Sequence, residues 1–131
     1  MRDERGTASL AQTVLVAPAL LLALMLIVQF GLFFHAQNVA ENAAQEGAAA
    51  GRRFDGSEEG AAQRARRFLA ELGPRTLNNQ TVSAQRTPET ATVTITGTVI
   101  SLVPGLDLKV EESASGPVER YVPPTDKAVT P

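Results

Sequence analysis

The sequence predicts an α+β fold: a very long N-terminal helix, a short second helix, then a small three-stranded antiparallel sheet. Three observations carry this. Leu10 to Phe34 contains no charged side chain. Small and apolar residues continue at three- and four-residue steps as far as Gly51, the mark of one face of an α-helix. From Gln80 onward the period falls to two, as in strands whose two faces differ.

Residues 1–9 form a short polar head with Arg2, Asp3, Glu4 and Arg5. Residues 10–34 follow as an apolar run broken only by Gln12, Thr13, Pro18, Gln29 and Gly31. As a helix this run spans about 37 Å, enough for a hydrocarbon layer of about 30 Å with some tilt, so it is expected to cross a membrane. A buried core helix of this length needs a large apolar shell. The chain beyond His35 is polar and alternating, with Phe54, Phe68 and Tyr121 as its only aromatics. A cleavable signal has a shorter apolar core directly before its small-residue site; here Ala48-Ala49-Ala50 lies well past Phe34, after a polar helix. The two N-terminal arginines lie closer to the span than Arg52 and Arg53, which places the N-terminus in the cytoplasm and the C-terminal domain outside. Pro18 lacks the backbone N–H a helix interior uses and is expected to bend the span. Gln29 and Gly31 either face another helix or mark the interface.

Beyond the span, Ala36, Val39, Ala40, Ala43, Gly47, Ala50 and Gly51 recur on one face, with Gln37, Asn38, Glu41, Asn42, Gln45 and Glu46 largely on the other. A face of such small side chains lets another element come close. It suits packing against identical neighbours in a homo-oligomer, against the chain's own sheet, or both. Asp55 with Glu58 fits a capping box opening a helix from Ser57 to Leu72, ended by Gly73-Pro74, with Ala61, Ala65, Phe68, Leu69 and Leu72 as its buried stripe. Arg64, Arg66 and Arg67 are interleaved with Glu58, Glu59 and Glu71, as on a solvated face.

Thr81 to Gln85 reads as a modest strand and Ala91 to Val103 as the strongest. In the latter Val93, Ile95, Gly97, Val99 and Ser101 share one face, and threonines with Ile100 the other. Pro104-Gly105 is turn sequence. Leu106, Leu108 and Val110 then alternate with charged residues in a third strand that continues to Ser115. Residues 35–116 thus form an extracytoplasmic domain. Prolines at 117, 123, 124 and 131 argue for an extended or disordered tail over 117–131.

A net charge of −2 offers no basic field for nucleic acid. With no cysteine in the chain, the domain must hold by packing, by its membrane helix or by partner subunits. His35 is the sole histidine and stands at the membrane boundary, so no catalytic, metal or cofactor set is expected, and the chain is read as no enzyme. Asn79-Gln80-Thr81 matches a glycosylation acceptor, a match that chance also produces.

Arg5-Gly6-Thr7-Ala8-Ser9-Leu10, the apolar span with Pro18, Gln29-Phe30-Gly31, His35-Ala36-Gln37-Asn38-Val39-Ala40 and Ala44-Gln45-Glu46-Gly47-Ala48 closely resemble the TadE-like family. These are pseudopilin-like proteins of the bacterial tight-adherence pilus system. The resemblance extends to Leu102-Val103-Pro104-Gly105-Leu106 and to Ala114 through Arg120. It implies a pilin-like fold and a minor subunit anchored in the bacterial cell membrane. Such a subunit assists assembly of a pilus or related secretion apparatus beside other TadE- or TadG-like subunits or assembly-platform proteins. It also implies a prepilin peptidase cut after Gly6, before Thr7. Where pilin-type signals commonly carry a glutamate five residues after the cut, this chain has Ala11 beside neutral Gln12. That departure favours a permanently anchored accessory protein over a bulk pilus subunit. The alternative function is a single-pass anchored module that binds an envelope component.

Overall fold

The computed structural model describes residues 4–73 and 75–120. Helix α1 runs unbroken from Glu4–Arg52, 49 residues that include Pro18, and at about 1.5 Å per residue extends roughly 74 Å. Helix α2 spans Glu58–Leu72. The strands β1 (Leu77–Arg86), β2 (Thr90–Val99) and β3 (Lys109–Pro117) follow, forming one antiparallel sheet in the order β1-β2-β3. The expected α+β architecture is the observed one.

The domain wraps the distal half of α1. Gly47 and Gly51 of α1 meet Ala61 near the start of α2, whereas Gly73 at its end meets Val39, so α2 runs back antiparallel along α1. β2 also descends α1, with Ala91 beside Gly51 and Val93 beside Gly47. The core between these layers consists of Ala36, Ala40, Ala43, Ala44, Ala65, Leu69, Val93, Ile95, Val99 and their neighbours. Alternation on β2 is as the sequence indicates: Val93, Ile95, Gly97 and Val99 are buried and the intervening threonines half-exposed.

Several elements depart from expectation. The N-cap of α2 is Ser57, whose Oγ accepts from the Gly60 N–H at 3.0 Å, not Asp55. The chain turns at Arg53–Gly56, closed by the Gly56 N–H to the Arg53 carbonyl, and Glu58 accepts instead from the Arg86 backbone N–H. Leu72 is exposed and Phe68 half-buried; Ala62 joins Ala61, Ala65 and Leu69 in the buried stripe. β1 begins four residues earlier than Thr81, across a bulge between Asn78 and Thr81 where Asn79 takes a left-handed φ of 51°. β2 ends at Val99, not Val103, and β3 starts at Lys109, not Leu106. A turn closed by the Leu106 N–H to the Val103 carbonyl, with Gly105 at φ 81°, occupies the interval. β3 includes Pro117, and the Val118 and Glu119 amides donate to Glu89 and Arg52 carbonyls. The remainder of the expected tail, 121–131, lies outside the described residues.

α1 and α2 approach closely at Gly47, where an added Cβ would lie 2.9 Å from both the Ala61 carbonyl oxygen and the Ala65 Cβ. A larger residue must push α2 away. Gly47→Leu is expected to destabilise the domain by about 1–3 kcal/mol, read as amide exchange at Val93 and Ile95 roughly fivefold or more faster. Gly31→Ala, which meets nothing within 4 Å, is expected to leave that exchange unchanged.

Candidate functional site

Two stretches of α1 differ in what surrounds them. From Gly6 through Val28 the helix is nearly bare: only 6% of its most apolar window is buried, and Leu15, Leu20, Leu24 and Ile27 are each more than half exposed. It is long and apolar enough to cross a membrane, and its low burial sets it apart from a core helix. From Gln29 on, the face containing Leu32, Phe33, Ala36, Val39, Ala40 and Ala43 turns into the domain.

Gln29 is the pivot between the two stretches. It is fully buried, and its amide group engages the connection between β2 and β3 from both sides. Its Nε2 donates to the Ile100 carbonyl at 3.0 Å, and its Oε1 accepts from the Leu102 N–H at 2.6 Å. The side-chain amide thereby takes the place of a neighbouring strand, satisfying backbone groups where the sheet ladder has stopped. Of the two readings the sequence left open for Gln29, neither describes this intramolecular clamp. A legible signal existed: Gln29 stands seven residues before Ala36 and fourteen before Ala43, in line with the small-residue face.

At the opposite end of the domain two arginines close the C-terminus of α1. Arg86 Nε donates to the Gly51 carbonyl at 2.9 Å and its guanidinium also reaches the Arg53 carbonyl at 3.3 Å. Arg52 Nε donates to the Pro117 carbonyl at 3.0 Å. Cationic donors at a helix C-terminus satisfy its orphan carbonyls and complement its dipole. Midway, Gln37 Nε2 donates to Glu112 Oε1 at 2.9 Å, tying α1 to β3. Arg64 pairs with Glu46 at 3.0 Å with both side chains nearly half exposed, a contact worth at most about 1 kcal/mol.

The packing-face residues Ala36, Ala40, Ala43, Gly47 and Gly51 are all buried and Ala50 half-buried. Their partners are the chain's own α2 and sheet, as at Gly47 and Gly51. This face is therefore filled from within. Gly6 and Thr7 lie exposed near the start of α1, with open space around Gly6. Ala48, in the small-residue triplet, is buried mid-helix.

The sheet's other face is open. Thr92 and Thr94 hydrogen-bond across to Ser115 and Ser113 at 3.0 and 3.1 Å, making a flat, hydroxyl-lined surface. A shallow depression at its lower end is lined by Asn79, Thr96, Thr98, Lys109 and Glu111. Among the described residues no three His, Cys, Asp or Glu side chains gather as a metal set.

Residues 6–49 match the family model of TadE-like proteins, covering the bare stretch of α1 and most of its packing face. The resemblance read from the N-terminal residues therefore holds over that segment. No curated protein and no solved structure matches the chain significantly.

Replacing Gln29 by alanine leaves the Ile100 carbonyl and Leu102 N–H without their partner. The expected result is a local loss of about 1–3 kcal/mol, detected as faster amide exchange at Leu102 with β2 little changed. Gln29→Glu keeps an acceptor for Leu102 but sets a buried carboxylate oxygen against the Ile100 carbonyl, and is expected to be at least as destabilising as alanine at neutral pH.

Proposed function

We propose that the chain is a membrane-anchored minor pseudopilin-like subunit that assists assembly of a tight-adherence pilus or a related secretion apparatus. The observation that carries this reading is the TadE-like match over residues 6–49, laid on a helix whose first half is bare and apolar and whose second half bears a small domain. In this reading α1 crosses the cell membrane with its N-terminus in the cytoplasm, and the domain stands outside. The role is structural, with no reaction performed. Its partners are other TadE- or TadG-like subunits or assembly-platform proteins.

Two features favour a permanent anchor. Ala11 and Gln12 stand where a pilin-type signal would carry a buried glutamate, a charge that in other subunits is tolerated in lipid only when paired. The small-residue face, the natural surface for bundling helices, is already occupied by the chain's own domain. Partner contacts then fall to the bare stretch of α1 and to the flat outer sheet face.

Deleting the gene is expected to reduce or abolish the assembled appendage, with the protein itself recovered in the membrane fraction. Recovery as a soluble monomer, or an appendage fully assembled without it, overturns the reading. Intact mass of the membrane-extracted protein separates two versions of the role. Retention of residues 1–6 identifies a permanent anchor, and their loss identifies a subunit processed between Gly6 and Thr7.

A further inference from the structure

The connection between β2 and β3, residues 100–108, descends beside α1 to the level of Gln29. This is five residues short of Phe34, or about 7.5 Å of helix. On the anchor reading the connection therefore reaches into the zone where the apolar run of α1 already lies. Counting from Leu10, the run that ends at Val28 measures about 28 Å as a helix, close to the hydrocarbon thickness of about 30 Å. That places Gln29 and the connection at the outer boundary of the hydrocarbon layer.

The chemistry of the connection suits that position. Ile100 and Leu102 are exposed at 38% and 42%, Val103 and Leu106 are half-exposed, and Asp107 is its only charge. Several of its backbone groups are met from within the chain. The Ile100 carbonyl and Leu102 N–H are met by Gln29, the Leu108 carbonyl by the Val99 N–H, and the Val103 carbonyl by both the Leu106 N–H and the Ser101 hydroxyl. Internal satisfaction of this kind lowers the cost of placing irregular backbone near lipid. Met25 and Leu26, one turn below Gln29, are half-buried on the same side of α1.

We propose that residues Ile100–Leu106 form a second membrane contact, a short apolar loop seated in the outer interfacial layer of the lipid bilayer and clamped to the spanning helix by Gln29. The occupant of this surface is lipid. The loop fixes the depth and orientation of the domain, which a single spanning helix leaves free to rotate. The proposal rests on the anchor reading of α1.

The chain's lack of cysteine permits clean single-site labelling of the full-length protein. Nitroxides are attached separately at Leu102→Cys, Leu106→Cys, Leu24→Cys and Thr94→Cys in phosphatidylcholine–phosphatidylglycerol vesicles. Collisions with oxygen are compared with those of a water-soluble nickel chelate. The expected result is a ratio favouring oxygen at 24, 102 and 106 and several-fold lower at 94, on the outer sheet face. Lipid exposure at 24 with water exposure at both 102 and 106 overturns the loop proposal and leaves the anchor standing. Water exposure at 24 overturns the anchor and the proposal together. Protection at 102 that disappears as the protein is diluted in lipid assigns the loop to a second copy, and overturns the lipid assignment.

Discussion

The structure depends on how closely α2 and β2 approach the distal half of α1. Alanine and glycine at positions 36, 40, 43, 47 and 51 keep that helix surface near its backbone cylinder, so that at Gly47 there is no room for a Cβ without displacing Ala61, Ala65 or Val93. Each such residue removes little apolar area from water, at about 0.8 kcal/mol per buried CH₂. The gain is in proximity: three layers share contacts across a thin core in which Leu69, Ile95, Val93 and Val99 are the largest fully buried apolar side chains. A larger stripe on α1 would bury more area per residue and hold the sheet too far away to close over it.

A core this thin leaves the ends of the domain exposed to fraying, and polar side chains hold both ends. At the top, Arg52 and Arg86 bind the last carbonyls of α1 and the end of β3. At the bottom, Gln29 binds the connection that leaves β2. Because all three grip backbone atoms, they specify where the chain must pass without adding apolar bulk. With no disulfide available, these contacts and the antiparallel ladder supply constraints of the kind that cross-links provide in many small domains.

The same contacts explain what the sequence made legible and what it did not. The extent of α1, the buried face of β2 and the α+β order follow from periodicity, a property each segment carries in itself. The ends of β2 and β3 do not. Ile100 and Ser101 invert the apolar–polar alternation, and Val99 is the last ladder residue, the Ile100 carbonyl going to Gln29, seventy-one residues away. Leu106 and Leu108 alternate like a strand but follow a turn closed on Val103. β1 likewise extends past its pattern, because Leu77 pairs with Val99 across a bulge at Asn79 that no alternation announces. The α2 cap moved from Asp55 to Ser57 because the preceding chain folds back on the end of α1. Of the occupants the sequence left open for the small-residue face, the fold supplies the chain's own sheet, together with α2, which the periodicity of α1 alone does not name.

That occupant bears on how such a chain takes part in an assembly. In a pilin-type filament the helices bundle through their own apolar faces, and a charge buried at the start of the helix pairs with its neighbour. Here the C-terminal half of the helix has its small-residue face filled by its own α2 and sheet, and the N-terminal half has Ala11 where such a charge would stand. A helix so arranged lacks two of the attractions that bundle helices in a filament core. What remains is an apolar rod of about 28 Å suited to lipid and a domain held against it at both ends. On the proposed reading, retention at the membrane is then the lower-energy state, and any part in assembly is played from there.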